Sequence, residues 1–138
     1  MLNPEQTLEF FEIMKAAQTE ANESWFNKTE IAMHRALQFL VGGGKPYHCT
    51  AGDSLITVQP NGDLYPCRRM PIIAGNLTKQ SLTELYYESE ILRTLRDRTK
   101  LSDRCQSCLY ATFCRGGLKC LSYAITKNPF SPDPACPL

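Results

Sequence analysis

Residues 105–120 read CQSCLYATFCRGGLKC, four cysteines within sixteen positions. Cys105 and Cys108 form a C-x2-C pair, whose tight turn aims two thiolates at one ion or cluster. Cys114 follows after five residues and Cys120 after five more, with Gly116 and Gly117 in the last interval letting the backbone pass close to bulky sulfur. Three further cysteines, Cys49, Cys67 and Cys136, lie outside this stretch, and the total of seven is odd. An odd set makes a poor disulfide framework. The amino terminus, MLNPEQTLEFFEIMK, carries acids early and lacks the basic leader and apolar run of a secretory signal. The expectation is a reducing, cytoplasmic setting in which closely spaced thiols hold metal or do redox chemistry.

The 138 residues suffice for one modest domain with an appendage. A formal net charge of +1 gives no electrostatic reason for a nucleic-acid or anionic membrane partner. No stretch approaches the ~20 apolar residues needed to cross a bilayer, so a soluble protein is expected. The cysteine-free start reads as two helices. In the first, Pro4 follows Asn3 at a first helical position and Leu8, Phe11, Met14 and Ala17 recur at helical spacing. The second is expected from Asn27, where NKTE has the capping-box pattern and Ile31, Met33, Ala36, Leu37 and Leu40 form an apolar stripe that Gly42, Gly43 and Gly44 terminate. His34 belongs to the surface of that helix. The glycine stop separates a helical segment, 1–46, from a cysteine-bearing module, 47–138.

The module opens with CTAGDSLITVQPNGDLYPCRR, in which β-prone Leu55 to Val58, the turn PNGD and the extended Leu64 and Tyr65 spell a hairpin. Pairing its strands brings Cys49 and Cys67 to the same open end. Next, SLTELYYESEILRTLRD reads as two short helices or one bent helix, with Ser81 and Glu84 as a capping box and Leu82, Leu85, Tyr86, Ile91, Leu92 and Leu95 facing the core. Arg93, Arg96, Arg98, Lys100 and Arg104 read as a solvated basic face. The proline-rich tail NPFSPDPACPL is expected to wrap the surface with little regular structure. The fold class is α+β.

Several chemistries use such thiols. Zinc takes four thiolates in a tetrahedron, although zinc ribbons tend to use two C-x2-C knuckles and this chain has one. A thioredoxin-like redox pair lacks a surrounding βαβ pattern. Iron-sulfur clusters use cysteine runs that include C-x2-C, and seven thiols are one short of ligating two cubanes fully. Arg68, Arg69, Arg104, Arg115 and Lys119 sit beside the cysteines and offset the negative charge of a thiolate-bound metal of either kind. No serine-histidine-acid arrangement, phosphate loop or paired catalytic carboxylates stand out, and GGGK at 42–45 lacks the P-loop pattern.

The order Cys49, twelve residues, Gly62, four residues, Cys67, a gap, Cys105-x2-Cys108-x5-Cys114, Cys120, a further gap and Cys136 resembles the seven-cysteine SPASM domain, over about residues 47–138. That domain lies at the carboxyl end of radical S-adenosylmethionine (radical SAM) enzymes that modify peptides and proteins. The resemblance implies a small cysteine-rich module with a β-hairpin and short helices around two auxiliary 4Fe-4S clusters. It implies Cys105, Cys108, Cys114 and Cys136 as ligands of one cluster and Cys49, Cys67 and Cys120 as ligands of the other. Two departures stand out: five residues, not the family's usual three, precede Cys120, and residues 1–48 offer no cysteine to complete the three-thiol set. One iron is then open or held by another group. His48 is read as an ordinary histidine, since strand neighbours point to opposite faces.

The resemblance further implies electron transfer or substrate engagement beside a radical SAM barrel, with a peptide or protein substrate. S-adenosylmethionine enters only through that barrel, whose C-x3-C-x2-C motif these 138 residues lack. The chain alone is not expected to generate a radical, and reads as a split subunit, a remnant or a piece of a longer enzyme. Tyr110 and Phe113, between ligands, are expected to shield a cluster from water. The alternatives are a zinc-stapled interaction module and a stand-alone electron carrier.

Overall fold

A computed structural model describes residues 2–23, 26, 30–32 and 36–138. Helix α1 (Pro4–Glu23) starts at a reciprocal cap. The Gln6 N–H donates to Asn3 Oδ1 at 2.8 Å and the Asn3 N–H to Gln6 Oε1 at 3.0 Å, while Pro4 places its missing donor where none is needed. The helix buries Thr7 and Phe11 but leaves Leu8 on the exposed rim, so its inner face is rotated from the stripe that apolar spacing suggests. The second N-terminal helix, α2 (Phe39–Gly42), is a single turn. Of its expected start, Asn27 and Met33 lie outside the described residues, as does His34, and 30–32 carry no regular structure. Ala36 and Leu37 are buried in a turn before α2, and Phe11, Leu37, Phe39 and Ala135 form one core cluster. Gly43 and Gly44, at φ 69° and 86°, end the segment where the sequence predicts.

The expected hairpin forms from β1 (Thr57–Val58) and β2 (Asp63–Tyr65), antiparallel, with Thr57 opposite Tyr65 and Val58 opposite Leu64. Its turn needs Gly62, whose φ of 87° suits a residue without a Cβ. A third strand, β3 (Gly75–Asn76), adds to β2. The Asn76 amide fixes it by donating to Asn61 O at 3.1 Å and Asp63 Oδ1 at 2.9 Å, and the latter bond, with one from the Asn61 side chain, holds the Asp63 carboxyl below its usual range.

Helices α3 (Leu82–Glu88) and α4 (Glu90–Arg96) are two separate pieces, broken at Ser89. The capping box at Ser81 is present: the Glu84 N–H donates to Ser81 Oγ at 3.2 Å and the Ser81 N–H to Glu84 Oε2 at 2.9 Å. Leu85 and Leu92 pack with Leu64 in a core cluster, and Leu95 joins another with Cys67 and Cys120. Leu82, expected inside, is 47% exposed because it occupies the outer side of the first turn. Arg96 also departs from expectation. Its guanidinium lies 4.2 Å over the Tyr86 ring and donates to the carbonyls of Gly52 and Tyr86, which ties α4 to the loop after Cys49. Short helices α5 (Asp103–Gln106), α6 (Ala111–Cys114) and α7 (Lys119–Thr126) follow, and the tail from Asn128 has no regular structure. Among the described residues no helix is long and apolar enough to cross a membrane.

Removing one cap tests the local architecture. Ser81→Ala is expected to lower stability by about 1 kcal/mol in chemical denaturation, the usual cost of a lost N-cap.

Candidate metal centre

Ser102 caps α5, its hydroxyl accepting the Cys105 N–H, and the Cys108 N–H then donates to Cys105 O at 3.3 Å to close the C-x2-C turn. Helix α6 ends at Cys114, after which Arg115 adopts a left-handed φ of 55° and the chain folds back through Gly116 and Gly117. Gly117 has φ 73°, and a Cβ there would come within 2.6 Å of the Asp133 side chain. That contact is structural. Asp133 is buried; its Oδ2 accepts the Leu118 N–H at 2.9 Å and its Oδ1 the Ala135 N–H at 3.0 Å, while the Cys136 N–H donates to Asp133 O at 2.9 Å. The tail is thereby pinned with Cys136 beside Cys114. Cys105, Cys108, Cys114 and Cys136 line one small, open-mouthed cavity, with Phe39 and Tyr110 in its apolar wall.

Cys49, Cys67 and Cys120 gather elsewhere, in the core cluster that holds Ala51, Met70 and Leu95. Cys67 follows β2 and bridges to Met70, whose N–H donates to Cys67 O at 2.9 Å; Cys120 is the second residue of α7. All seven cysteines are free.

The electrostatics divide the same way. Burial pushes the Cys120 thiol up, and the charges of Cys49 and Cys67 push it further. Burial also raises Cys114, against N–H donation from Gly117 and Gly116, with Cys136 and Cys105 adding to the rise. Cys136 is raised by burial and opposed by the Leu138 N–H and Arg104, with Cys105 and Asp133 pushing it up. Each of these thiols thus feels the cysteines of its own set. Of two further neighbours, Tyr47 escapes sequence reasoning, while Lys119 is among the cations that the sequence sets beside the cysteines. The Tyr47 phenol is raised by partial burial and then by Cys49, Cys120 and Cys67, a placement that two-residue alternation along an extended segment allows. The Lys119 ammonium is buried, which lowers its pKa, while Cys49 and Cys105 oppose that fall.

Among the described residues, no three side chains of His, Cys, Asp or Glu gather closely enough to grip a single metal ion. The four thiols instead ring a cavity, and backbone N–H groups of Tyr110, Gly116, Gly117 and Leu138 turn toward their sulfurs. The donors fit a sulfur-rich group, since N–H donors to cluster sulfurs are a standard means of stabilising one. Tyr110 packs edge-on against Phe39, centroids 4.9 Å apart, and helps enclose that cavity. Phe113 does not: it is 63% exposed, because the single turn of α6 turns it outward. His48 is also exposed.

A small α+β module with inward-facing cysteines divided between a cavity and a core has the form of a cysteine-rich cluster-binding domain. Residues 49–109 match the family model of SPASM, described as an iron-sulfur cluster-binding domain. It contains Cys49, Cys67, Cys105 and Cys108; Cys114, Cys120 and Cys136 lie beyond the match. An AdoMet-dependent heme synthase of Methanosarcina barkeri is 32% identical over 88 residues, 64% of this chain and 25% of that protein. PqqA peptide cyclases of Xanthomonas oryzae pv. oryzae and Streptomyces rochei are 27% identical over 89 residues and 29% over 91, covering 62% and 63% of this chain and 24% and 25% of theirs. The chain therefore spans about a quarter of the length of these curated relatives.

The raised pKa values have a measurable consequence, because only the thiolate is nucleophilic. In the metal-free chain, Cys114, Cys120 and Cys136 are expected to react with iodoacetamide at pH 7 more slowly than an unstructured cysteine peptide. Their rates should keep climbing at pH values where the peptide has levelled off, as mass spectrometry of each site will show. Gly117→Ala is expected to destabilise the module by roughly 1–3 kcal/mol, the usual cost of a strained backbone position, before the clash with Asp133 is added.

Proposed function

We propose that this chain carries two auxiliary 4Fe-4S clusters in a cytoplasmic radical SAM system that modifies a peptide or protein. Cys105, Cys108, Cys114 and Cys136 hold one cluster; Cys49, Cys67 and Cys120 hold the other. The observation that carries this reading is the division of the seven thiols into two spatial sets, one around a cavity and one in a core, which are interleaved along the chain because Cys120 lies between Cys114 and Cys136. The iron-sulfur description of the matched family supports the cluster type. The peptide cyclases among the relatives support the substrate class.

When bound, the clusters supply one-electron acceptance and release. The chain's own residues do the rest: thiolates ligate, backbone N–H groups and buried cations offset sulfur charge, and Phe39 and Tyr110 exclude water from the four-thiol site. The division into a helical segment, 1–46, and a cluster module, 47–138, belongs to the same proposal. Phe11, Leu37 and Phe39 pack with Ala135 and against Cys114 and Cys136, so the segment would act as one wall of the four-thiol site. S-adenosylmethionine would bind outside residues 1–138, on a barrel domain or subunit, as the AdoMet-dependent name of one relative suggests.

Anaerobic purification with iron, sulfide and zinc analysis tests the reading. About seven to eight irons per chain with matching sulfide are expected, together with a broad brown absorption band near ~400 nm. One or two zinc ions without sulfide would make the chain a structural interaction module instead. Loaded clusters in a chain that binds neither a barrel partner nor a peptide would make it a stand-alone electron carrier. Single substitutions then test the split. Cys108→Ala should remove about half of the iron and destabilise the module, since ligation and folding are coupled, whereas Cys49→Ala should lose mainly the three-thiol cluster. Equal iron in wild type and both variants would refute the ligand assignment.

A further inference from the structure

The stretch from Arg115 to Lys119 connects Cys114 of one thiol set to Cys120 of the other, and both of its cations are turned away from water. Arg115 is 8% exposed. Its guanidinium donates to Leu95 O at 3.3 Å and Arg96 O at 3.5 Å, at the end of α4, and its buried Nε–H has no hydrogen-bond partner. Lys119 is 4% exposed, with its ammonium 4.7 Å from the centre of the Phe130 ring. Leu95 and Phe130 both pack in the core that contains Cys67 and Cys120. Gly116, beside Arg115, faces the other set, Cys105 Sγ lying 3.9 Å from where its Cβ would be. The two cations therefore sit in the wall between the sets.

A buried cation is costly unless an anion accompanies it. Among the described residues no Asp or Glu forms an ion pair with Lys119, whereas Arg115 is near enough to the Asp97 carboxyl to help lower its pKa. Lys119 immediately precedes Cys120 of one set, and Gly116, three residues before it, faces Cys105 of the other. We propose that Lys119, with Arg115 behind it, is a charge-setting residue shared by both clusters: a fixed positive charge between them that raises both reduction potentials together. The inference rests on the two-cluster reading above. Uptake of one electron from an external reductant adds one negative charge to a cluster and breaks no bond. A nearby cation in a low-dielectric wall stabilises the reduced form more than the oxidised form, which moves the potential upward. Surface cations are screened by water and salt and act far less. Lys127, which is exposed, serves as the control.

The test uses the full chain, loaded anaerobically with iron and sulfide and titrated with dithionite under electron paramagnetic resonance. Lys119→Met and Lys119→Gln are expected to lower the potentials of both clusters at wild-type iron and sulfide content. Lys119→Arg should restore them, and Lys127→Met should leave them unchanged. Unshifted potentials in fully loaded Lys119→Met would overturn the proposal, as would a shift that Lys119→Arg reproduces. If neither neutral variant loads while Lys119→Arg does, the charge serves assembly rather than potential and the proposal falls. If Lys119→Arg also fails to load, the side chain is a steric element and the proposal falls. A wild-type chain free of inorganic sulfide would remove the two-cluster reading itself, before any variant is compared.

Discussion

The Asp133 carboxylate is the tie on which both thiol sets depend. One of its oxygens accepts the N–H of Leu118, where the chain turns into α7 and delivers Cys120 to the core. The other accepts the N–H of Ala135, immediately before Cys136 at the cavity. Two distant pieces of backbone are thus held by one buried side chain, and Gly117 leaves the space for it. A charged acceptor serving two backbone donors is stronger than neutral hydrogen bonds at the same places, and it must be, because the tail around it has no secondary structure to hold its course.

Around this tie the module balances opposite demands on sulfur. Burial protects the thiols and raises the pKa of Cys114, Cys120 and Cys136, which disfavours the thiolates that metal requires. Backbone N–H groups at Gly116, Gly117 and Leu138 work in the other direction. The glycine-rich reversal after Cys114 therefore has two uses at once: it lets the chain turn tightly after α6, and it aims donors at a sulfur that would otherwise be isolated from polar groups.

What the sequence disclosed follows from how local each signal is. The hairpin, the Ser81–Glu84 cap and the break between α3 and α4 are written in contiguous residues, and all three are present. Strand β3 was illegible because Gly75 and Asn76 have no β preference; their pairing depends on Asn61 and Asp63, far back in the chain. Arg96 looked like surface charge because sequence cannot reveal that an aromatic ring, Tyr86, will lie beneath it. Phe113 looked like a shield because it stands between cysteines, yet a one-turn helix exposes alternate sides within four residues. The seven cysteines marked a metal-binding chemistry by number and spacing. Their partition into four and three came only with the family resemblance, since spacing alone does not say which reversals bring Cys136 to Cys114 and Cys120 to Cys67.

The double grip of Asp133 also orders events in time. Cys49, Cys67 and Cys120 are all made before Asp133, so a growing chain possesses every sulfur of the core set while the carboxylate that fixes the start of α7 does not yet exist. Until that residue emerges, the Leu118 N–H has no acceptor there and Cys120 has no anchored approach. The core set therefore gains its anchored approach only in the last stretch of synthesis, the same stretch that supplies Cys136 to the cavity.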